Sequence, residues 1–461
     1  MADALKRSLG IPIGDLSQFR KRPVATLAII VVNIAVYVIT SYENIFLEVS
    51  DYWVSVGGFI PALTPMPTQW YRVFSSMFLH ADFFHILFNM YFLYIFGRAV
   101  EEALGRWRFL VLYMVSGKVA SIFHTAFSFL GGATAYVIPA IGASGAISGV
   151  LGAYLILFPG TSLVMGWFFL YFPMFFRMKA AYYLLFWFAT QVIYGYFRLS
   201  GSTAVFAHAG GFIAGIALLP MVVSKERLIQ FRLARQAVFP AYVVFIPTPA
   251  KPIGLGRTTK IIIAVLLAAL LLGTAYASTG LASHDNAKWV TMQYTFEGTA
   301  YTDSIGVSLY DIKSQLASIS LGATRVMLNR LYAARLLYDT SKANSEGTFS
   351  FAGNVRIGNL EVPTVIVLNG QYDDDGFLKY GEGNLTTFVV YDGMYLGRFP
   401  VHYNFEIFSR TINLAYITQW TGIMSLVATT VALGVALMKD RDLALIGEEP
   451  RGVWHSFTPV T

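Results

Sequence analysis

The chain has 461 residues, 56% of them hydrophobic and 13% charged, with a net charge of +7 and no cysteine. The apolar excess excludes an ordinary soluble domain, and the missing cysteine excludes disulfides, thiolate metal sites and cysteine nucleophiles together. The positive charge collects in two blocks beside apolar segments, the pattern of cytoplasmic loops and not of a nucleic-acid surface.

Residues 1–23 form a basic N-terminal segment with Lys6, Arg7, Arg20, Lys21 and Arg22. A membrane span needs about 20 mostly apolar residues. Such segments fall near 24–41, 83–99, 108–130, 144–158, 180–197, 204–223, 259–279 and 412–438. No cleavage pattern of small residues follows the first, so a retained span is expected and not a signal peptide. Arg98, Arg106, Arg108, Arg177 and Lys179 lie between spans on the expected inner side, whereas the outer loop 131–143 carries no charge. The second basic block (Lys225, Arg227, Arg232, Arg235, Lys251, Arg257) fills the linker 224–258. The charge pattern predicts both termini, including the tail 439–461, in the cytoplasm, and the expected location of this integral protein is the plasma membrane.

Two stretches do not span. Residues 42–82 hold Trp53, Pro61, Pro65, Pro67, Trp70, Tyr71 and Arg72, and are expected in the membrane interface. Residues 280–411 read as an extracytoplasmic α+β domain in which acidic residues outnumber basic ones. Alternation marks strands at Lys288–Thr295, Glu361–Leu368 and Thr386–Tyr391. Asn369-Gly370 is a hairpin signal, and helical spacing suggests one helix over Asp311–Asp339. Asn384-Leu385-Thr386 matches a glycosylation sequon. Asp373-Asp374-Asp375-Gly376 reads as an acidic turn in preference to a calcium loop. No metal or cofactor motif stands out anywhere.

The chemistry concentrates at the outer ends of three spans. Gly142-Ala143-Ser144-Gly145-Ala146-Ile147-Ser148-Gly149 opens the fourth. Small residues there let helices approach closely, which by itself explains such a stretch as packing. Ser144 also lies in a first helical turn, where backbone N–H groups lack intrahelical partners. His80, His85 and Asn89 open the second span, with His85 and Asn89 on one helix face. Ala207-His208 opens the sixth, and Gly211 and Gly215 give it a small-residue face. Spans two, four and six run in the same direction, so these groups share one depth. Polar groups inside spans are costly and point to function.

Together they suit acyl transfer: Ser144 as nucleophile, His208 as general base, and His85, Asn89 and the Ser144 backbone as oxyanion donors. No carboxylate lies near His208 in the sequence, so a dyad is expected and not a triad.

Over residues 24–223 the sequence resembles the rhomboid family of intramembrane serine proteases. The resemblance rests on Gly142-Ala143-Ser144-Gly145, on His80, His85 and Asn89, on Ala207-His208 with Gly211 and Gly215, and on Trp70-Tyr71-Arg72. Glu101, after Phe96-Gly97-Arg98, matches the family's inner loop in a structural role. The family implies six spans, catalysis by the serine and histidine, and cleavage of single-span or polytopic membrane proteins within the bilayer. The expected fold is thus an α-helical polytopic membrane protein: a six-span rhomboid-like bundle plus two extra spans flanking an α+β domain.

Lys118, midway through the third span, and the whole of 280–411 depart from the family pattern. That domain could recruit substrates, bind a partner or shield the site. The competing readings are a catalytically silent rhomboid-like protein that binds membrane proteins, and a polytopic transporter, although no inverted repeat is visible.

Overall fold

Eight apolar helices stand where the hydrophobic segments predict them: α1 (Val24–Ser41), α2 (Phe83–Leu104), α3 (Arg106–Phe127), α4 (Ser144–Leu157), α5 (Ala180–Tyr196), α6 (Val205–Val222), α7 (Arg257–Ser278) and α8 (Leu414–Gly434). This computed structural model describes residues 11–15, 22–169, 172–199, 204–236, 254–282, 286–296, 298–309, 312–317, 322–357, 360–391, 394–395 and 397–448. The basic residues Lys6, Arg7, Arg20, Lys21 and Lys251 and the tail beyond 448 lie outside them.

Six of the eight (α1, α2, α3, α6, α7 and α8) are long and apolar enough to cross a membrane. The other two fall short of the expected length, with 14 residues in α4 and 17 in α5. The shortness of α4 has a consequence. At 1.5 Å per residue it reaches only about 21 Å, against a hydrocarbon core of about 30 Å. Every residue of α4 from Gly145 to Leu157 is buried, as an evenly apolar helix at the centre of a bundle must be. Its N-terminus is therefore the floor of a recess and not a point on the protein's surface.

The other helices ring it. α6 packs along α4 and α3, and α2 and α5 close the sides. α2 continues five residues past its expected end, because Val100–Leu104 remain packed inside, and Gly105 at φ 83° turns the chain into α3. Glu101 in that last turn is buried, and its carboxylate accepts from Ala25 N–H (2.9 Å), Thr26 N–H (2.8 Å) and the Thr26 hydroxyl (2.8 Å). It thereby caps α1, whose first-turn donors have no intrahelical acceptors. α7 and α8 pack on each other and lie against this bundle, α8 along α3 and α6. Tyr196 of α5 donates to the Ala269 carbonyl of α7 at 2.7 Å.

At the end opposite Ser144 is a feature without a sequence signal: a three-stranded antiparallel sheet of β1 (Ile11–Asp15), β2 (Ser162–Phe169) and β3 (Phe172–Lys179). Residues 440–448 close the same end. Leu445 and Ile446 donate to the terminal α4 carbonyl of Leu157, and Asp440 pairs with Lys260 at 2.8 Å.

Residues 286–413 contain both strands and helices. β4 (Asn286–Phe296), β5 (Thr299–Ser308), β6 (Glu346–Ile357), β7 (Leu360–Tyr372), β8 (Leu378–Thr387) and β9 (Val401–Asn413) form an antiparallel sheet in the order β5-β4-β9-β8-β7-β6. Helices 312–317 and 322–333 share a core with it that includes Val290, Leu316, Leu328, Ile366, Leu385 and Ile407.

Three local expectations fail. Asn369-Gly370 is not a hairpin turn but part of β7, paired with Thr348 and Gly347 on one side and Glu382 and Gly381 on the other. A Cβ on Gly370 would crowd the Leu378 side chain at 2.9 Å, so packing accounts for this glycine. The chain instead reverses at Asp373–Phe377. The single helix over Asp311–Asp339 is two helices, the residues between them lying outside the described set, and helix has ended by Ala334. The strand Thr386–Tyr391 stops at Thr387 and resumes only as the short pair Val390–Tyr391 with Met394–Tyr395.

In the acidic turn, Asp373 and Asp375 hold the fully buried Lys288, at 2.6 and 2.7 Å, and Thr411 takes its third proton at 2.8 Å. Asn384 of the sequon lies exposed within β8.

Candidate active site

The backbone of α4 and α6 sets the site. A Cβ on Gly211 would fall on the Gly145 carbonyl oxygen, one on Gly215 on the Gly149 carbonyl oxygen, and one on Gly149 on the Ser116 side chain. A Cβ on Gly145 would meet that of Ala120 at 2.6 Å. The two helices thus touch backbone to backbone, as small-residue faces allow, and α3 closes on α4 from the other side.

That approach brings His208 Nε2 to 2.8 Å from Ser144 Oγ. His208 Nδ1 lies 2.8 Å from Gln191 Oε1 of α5. The Gln191 amide nitrogen donates to the Trp187 carbonyl (3.3 Å) and the Thr190 hydroxyl (3.1 Å), so its oxygen faces the imidazole. An acceptor at Nδ1 requires the proton there and leaves the Nε2 lone pair for the serine hydroxyl. The imidazole also rests against Trp187, with ring centroids 6.1 Å apart.

Gln191 is the residue that sequence reasoning missed. The expected partner beside a general-base histidine is a carboxylate, yet an amide inside an apolar helix is itself a signal.

His85 reaches the site from α2. Its ring packs on Gly142, where a Cβ would meet the imidazole at 2.9 Å, and Gly142 has φ +127°, a second reason for glycine there. Asp82 caps α2 by accepting from His85 N–H at 2.8 Å, and Ala81 N–H donates to His85 Nδ1 at 3.2 Å. Asn89 donates to the His85 carbonyl at 2.8 Å. His80 is buried edge-on against His85 at 5.2 Å. Burial, and secondarily His85, push its imidazole down to about 3, which keeps it neutral at physiological pH.

Ser144, Ser148, His85, Asn89, Trp187 and His208 line one cavity of about 980 Å³. Its remaining wall includes Ile138–Ile141, the chain entering Gly142, which sequence reasoning did not single out.

Trp70 and Arg72 stand away from this cavity and organise the loop 42–82. Arg72 is buried, which pushes its guanidinium below the usual range. It donates to Gln69 Oε1 (2.7 Å) and to the carbonyls of Ser55 (2.7 Å) and Gly58 (3.0 Å). Trp70 donates to the Thr64 carbonyl at 2.9 Å. Lys118 places its ammonium 4.3 Å from the Phe74 ring centroid, a cation–π contact between α3 and this loop.

Residues 67–225 match the family model for the Rhomboid domain. The chain is 32% identical over 143 residues to the rhomboid protease AarA of Providencia stuartii, covering 28% of this chain and 50% of that one. It is 39% identical over 87 residues to the rhomboid protease GluP of Bacillus subtilis (19% and 16%). It is also 30% identical over 169 residues to the inactive rhomboid protein 1 of Rattus norvegicus (35% and 17%). The chain spans half or less of the length of these relatives. With its helices able to cross a bilayer it is an integral membrane protein, and through residues 67–225 it is similar to the rhomboid domain.

Proposed function

We propose that the chain is an intramembrane serine endopeptidase that cuts membrane-spanning segments of other proteins. The observation that carries this reading is the Ser144–His208 hydrogen bond, with the imidazole held from behind by Gln191. The similarity of this chain to the rhomboid protease AarA supports the same reading.

Ser144 Oγ attacks the scissile carbonyl as His208 Nε2 takes its proton, and His208 returns that proton to the leaving amine. Water, deprotonated by the same imidazole, then releases the acyl enzyme. The developing oxyanion falls to the Ser144 backbone N–H at the start of α4, with His85 and Asn89 beside it. Each such donor is worth about 10²–10³ in rate. Asn89 would have to turn its amide from the His85 carbonyl to take part. His80, Gly142, Gly145, Gly149, Gly211 and Gly215 shape the site, Trp70 and Arg72 its neighbouring loop, and Glu101 the seat of α1.

The same reading assigns 24–223 to the protease body, 259–279 and 412–438 to two added spans, 280–411 to an extracytoplasmic domain, and 1–23, 224–258 and 439–461 to the cytoplasm. The basic N-terminus and linker support that orientation, and the reading places the chain in the plasma membrane. The substrates are single-span or polytopic membrane proteins entering from the bilayer.

The test is cleavage of a labelled single-span substrate by the protein in liposomes. The parent should cut, and Ser144→Ala and His208→Ala should not. Cutting by either variant would refute the dyad, and an inert parent would favour the catalytically silent reading suggested by the inactive relative.

A further inference from the structure

The strap 133–141, which leads into Gly142 and Ser144, has two faces. On one, Ala135 and Ile138–Ile141 line the catalytic cavity. On the other, Ala133, Tyr136 and Val137 pack in one apolar cluster with Ala287 and Trp289 of β4, and Ile412, Leu414 and Ile417 around the start of α8.

Polar contacts fall at the same places. Gln315 donates to Thr134 Oγ1 at 3.3 Å while its oxygen accepts from Ser308 N–H at 2.6 Å. The fully buried Tyr136 bonds through its hydroxyl to Thr418 of α8. Gly306 of β5 lies directly on Val137: a Cβ there would meet Val137 at 2.8 Å. Ile60, Ala62 and Leu63 belong to the same cluster. They follow Phe59, whose backbone exchanges two hydrogen bonds with Ala140, at 2.9 and 2.7 Å. Gly142 N–H then donates to Ser76 at 2.8 Å.

We infer that the 286–413 domain is a brace for the active site: β4, β5, the helix 312–317 and α8 hold residues 133–137, and so position the cavity wall 138–141 against which a substrate segment lies. Thr134, Tyr136, Val137 and Gly306 are positioning residues; none reaches a reacting atom. The physical reason is that the strap is neither a long helix nor part of a sheet. Its own bonds are short 3₁₀ turns, so contacts from outside determine where it sits. A packed interface shifts as a unit and does not deform locally. A load on the domain is therefore felt at the cavity wall. The catalytic part of this inference rests on the protease reading.

The test compares the full-length parent in liposomes with Gly306→Val, Gly306→Val/Val137→Ala and Tyr136→Phe. Two readouts are used: kcat and KM per fluorophosphonate-titrated serine, and hydrogen exchange of the Ala140 amide. Titration removes any effect of a smaller folded fraction. Gly306→Val, which pushes Val137 without touching the cavity, should raise KM about tenfold per active serine, since displacements near 1 Å carry effects of that order or more. It should also speed exchange at Ala140. The double variant, with room restored, should return both toward the parent.

Tyr136→Phe, which keeps the ring, should move both readouts in the same direction to a smaller extent, and decides the matter if Gly306→Val does not fold. Parental KM and Ala140 exchange in a folded single variant, or a double variant no better than Gly306→Val, would overturn the brace. A parent that neither cuts nor titrates would overturn the protease reading instead, and Ala140 exchange would still judge the brace.

Discussion

Gly211→Val tests the contact that makes the site. Its Cβ would fall on the Gly145 carbonyl oxygen, an atom of the α4 backbone that cannot rotate aside. Regaining an ordinary contact of about 3.5 Å requires α4 and α6 to part by on the order of 1 Å. His208 lies one turn before Gly211 on the same face of α6, so the wedge opens beside the Ser144–His208 bond. That bond spans 2.8 Å, and parting of this size carries it past about 3.5 Å, where a hydrogen bond no longer holds. Overpacking of this kind costs about 1–3 kcal/mol of stability, which the buried bundle can absorb, whereas lost alignment costs about 10²-fold in rate. The assay is kcat on the liposome substrate beside a thermal unfolding curve. Activity should fall about a hundredfold with the fold retained, and Gly211→Ala should fall between. A folded Gly211→Val variant with parental kcat would refute the reasoning.

Gln191→Leu removes the acceptor that sets the His208 tautomer and should lower kcat about tenfold with little change in KM, the loss expected for one buried hydrogen bond; an unchanged kcat would show that the imidazole orients without it. Glu101→Ala strands three donors at the head of α1 and should lower stability by about 1–3 kcal/mol, read as a lower thermal midpoint, with kcat per titrated serine unchanged. Lys288→Met leaves Asp373 and Asp375 without their buried counter-ion and should destabilise the 286–413 domain by less than the roughly 3–5 kcal/mol of a fully buried pair, because the Asp375 side chain is about a third exposed. An unchanged midpoint would show that the pair contributes nothing net.

Much of the bundle was legible because membrane physics is severe: a spanning helix must be a long apolar run, so the six long helices read directly from hydropathy, and the shorter α4 and α5 were legible as apolar runs whose length hydropathy overstated. That Ser144 and His208 would meet was legible because polar groups are rare in such runs. Gln191 was equally legible in principle, and was missed because a general base was expected to lean on a carboxylate. The sheet of β1, β2 and β3 was hidden because β2 and β3 form one hairpin whose third strand, β1, comes from residues 150 positions earlier. In the 286–413 domain the short-range signals failed where long-range packing overrode them. Gly370 is small because Leu378 needs the room, not because the chain turns there. The strap 133–141 gave no signal at all, since its position depends on a domain more than 140 residues downstream.

The central claim is that Ser144 is a nucleophile activated by His208. Its most direct measurement is mass-spectrometric mapping of the fluorophosphonate adduct on the full-length protein in liposomes. The account predicts one adduct, on Ser144, in the parent, and none in His208→Ala. An adduct on another residue, or undiminished labelling of Ser144 without His208, would contradict it.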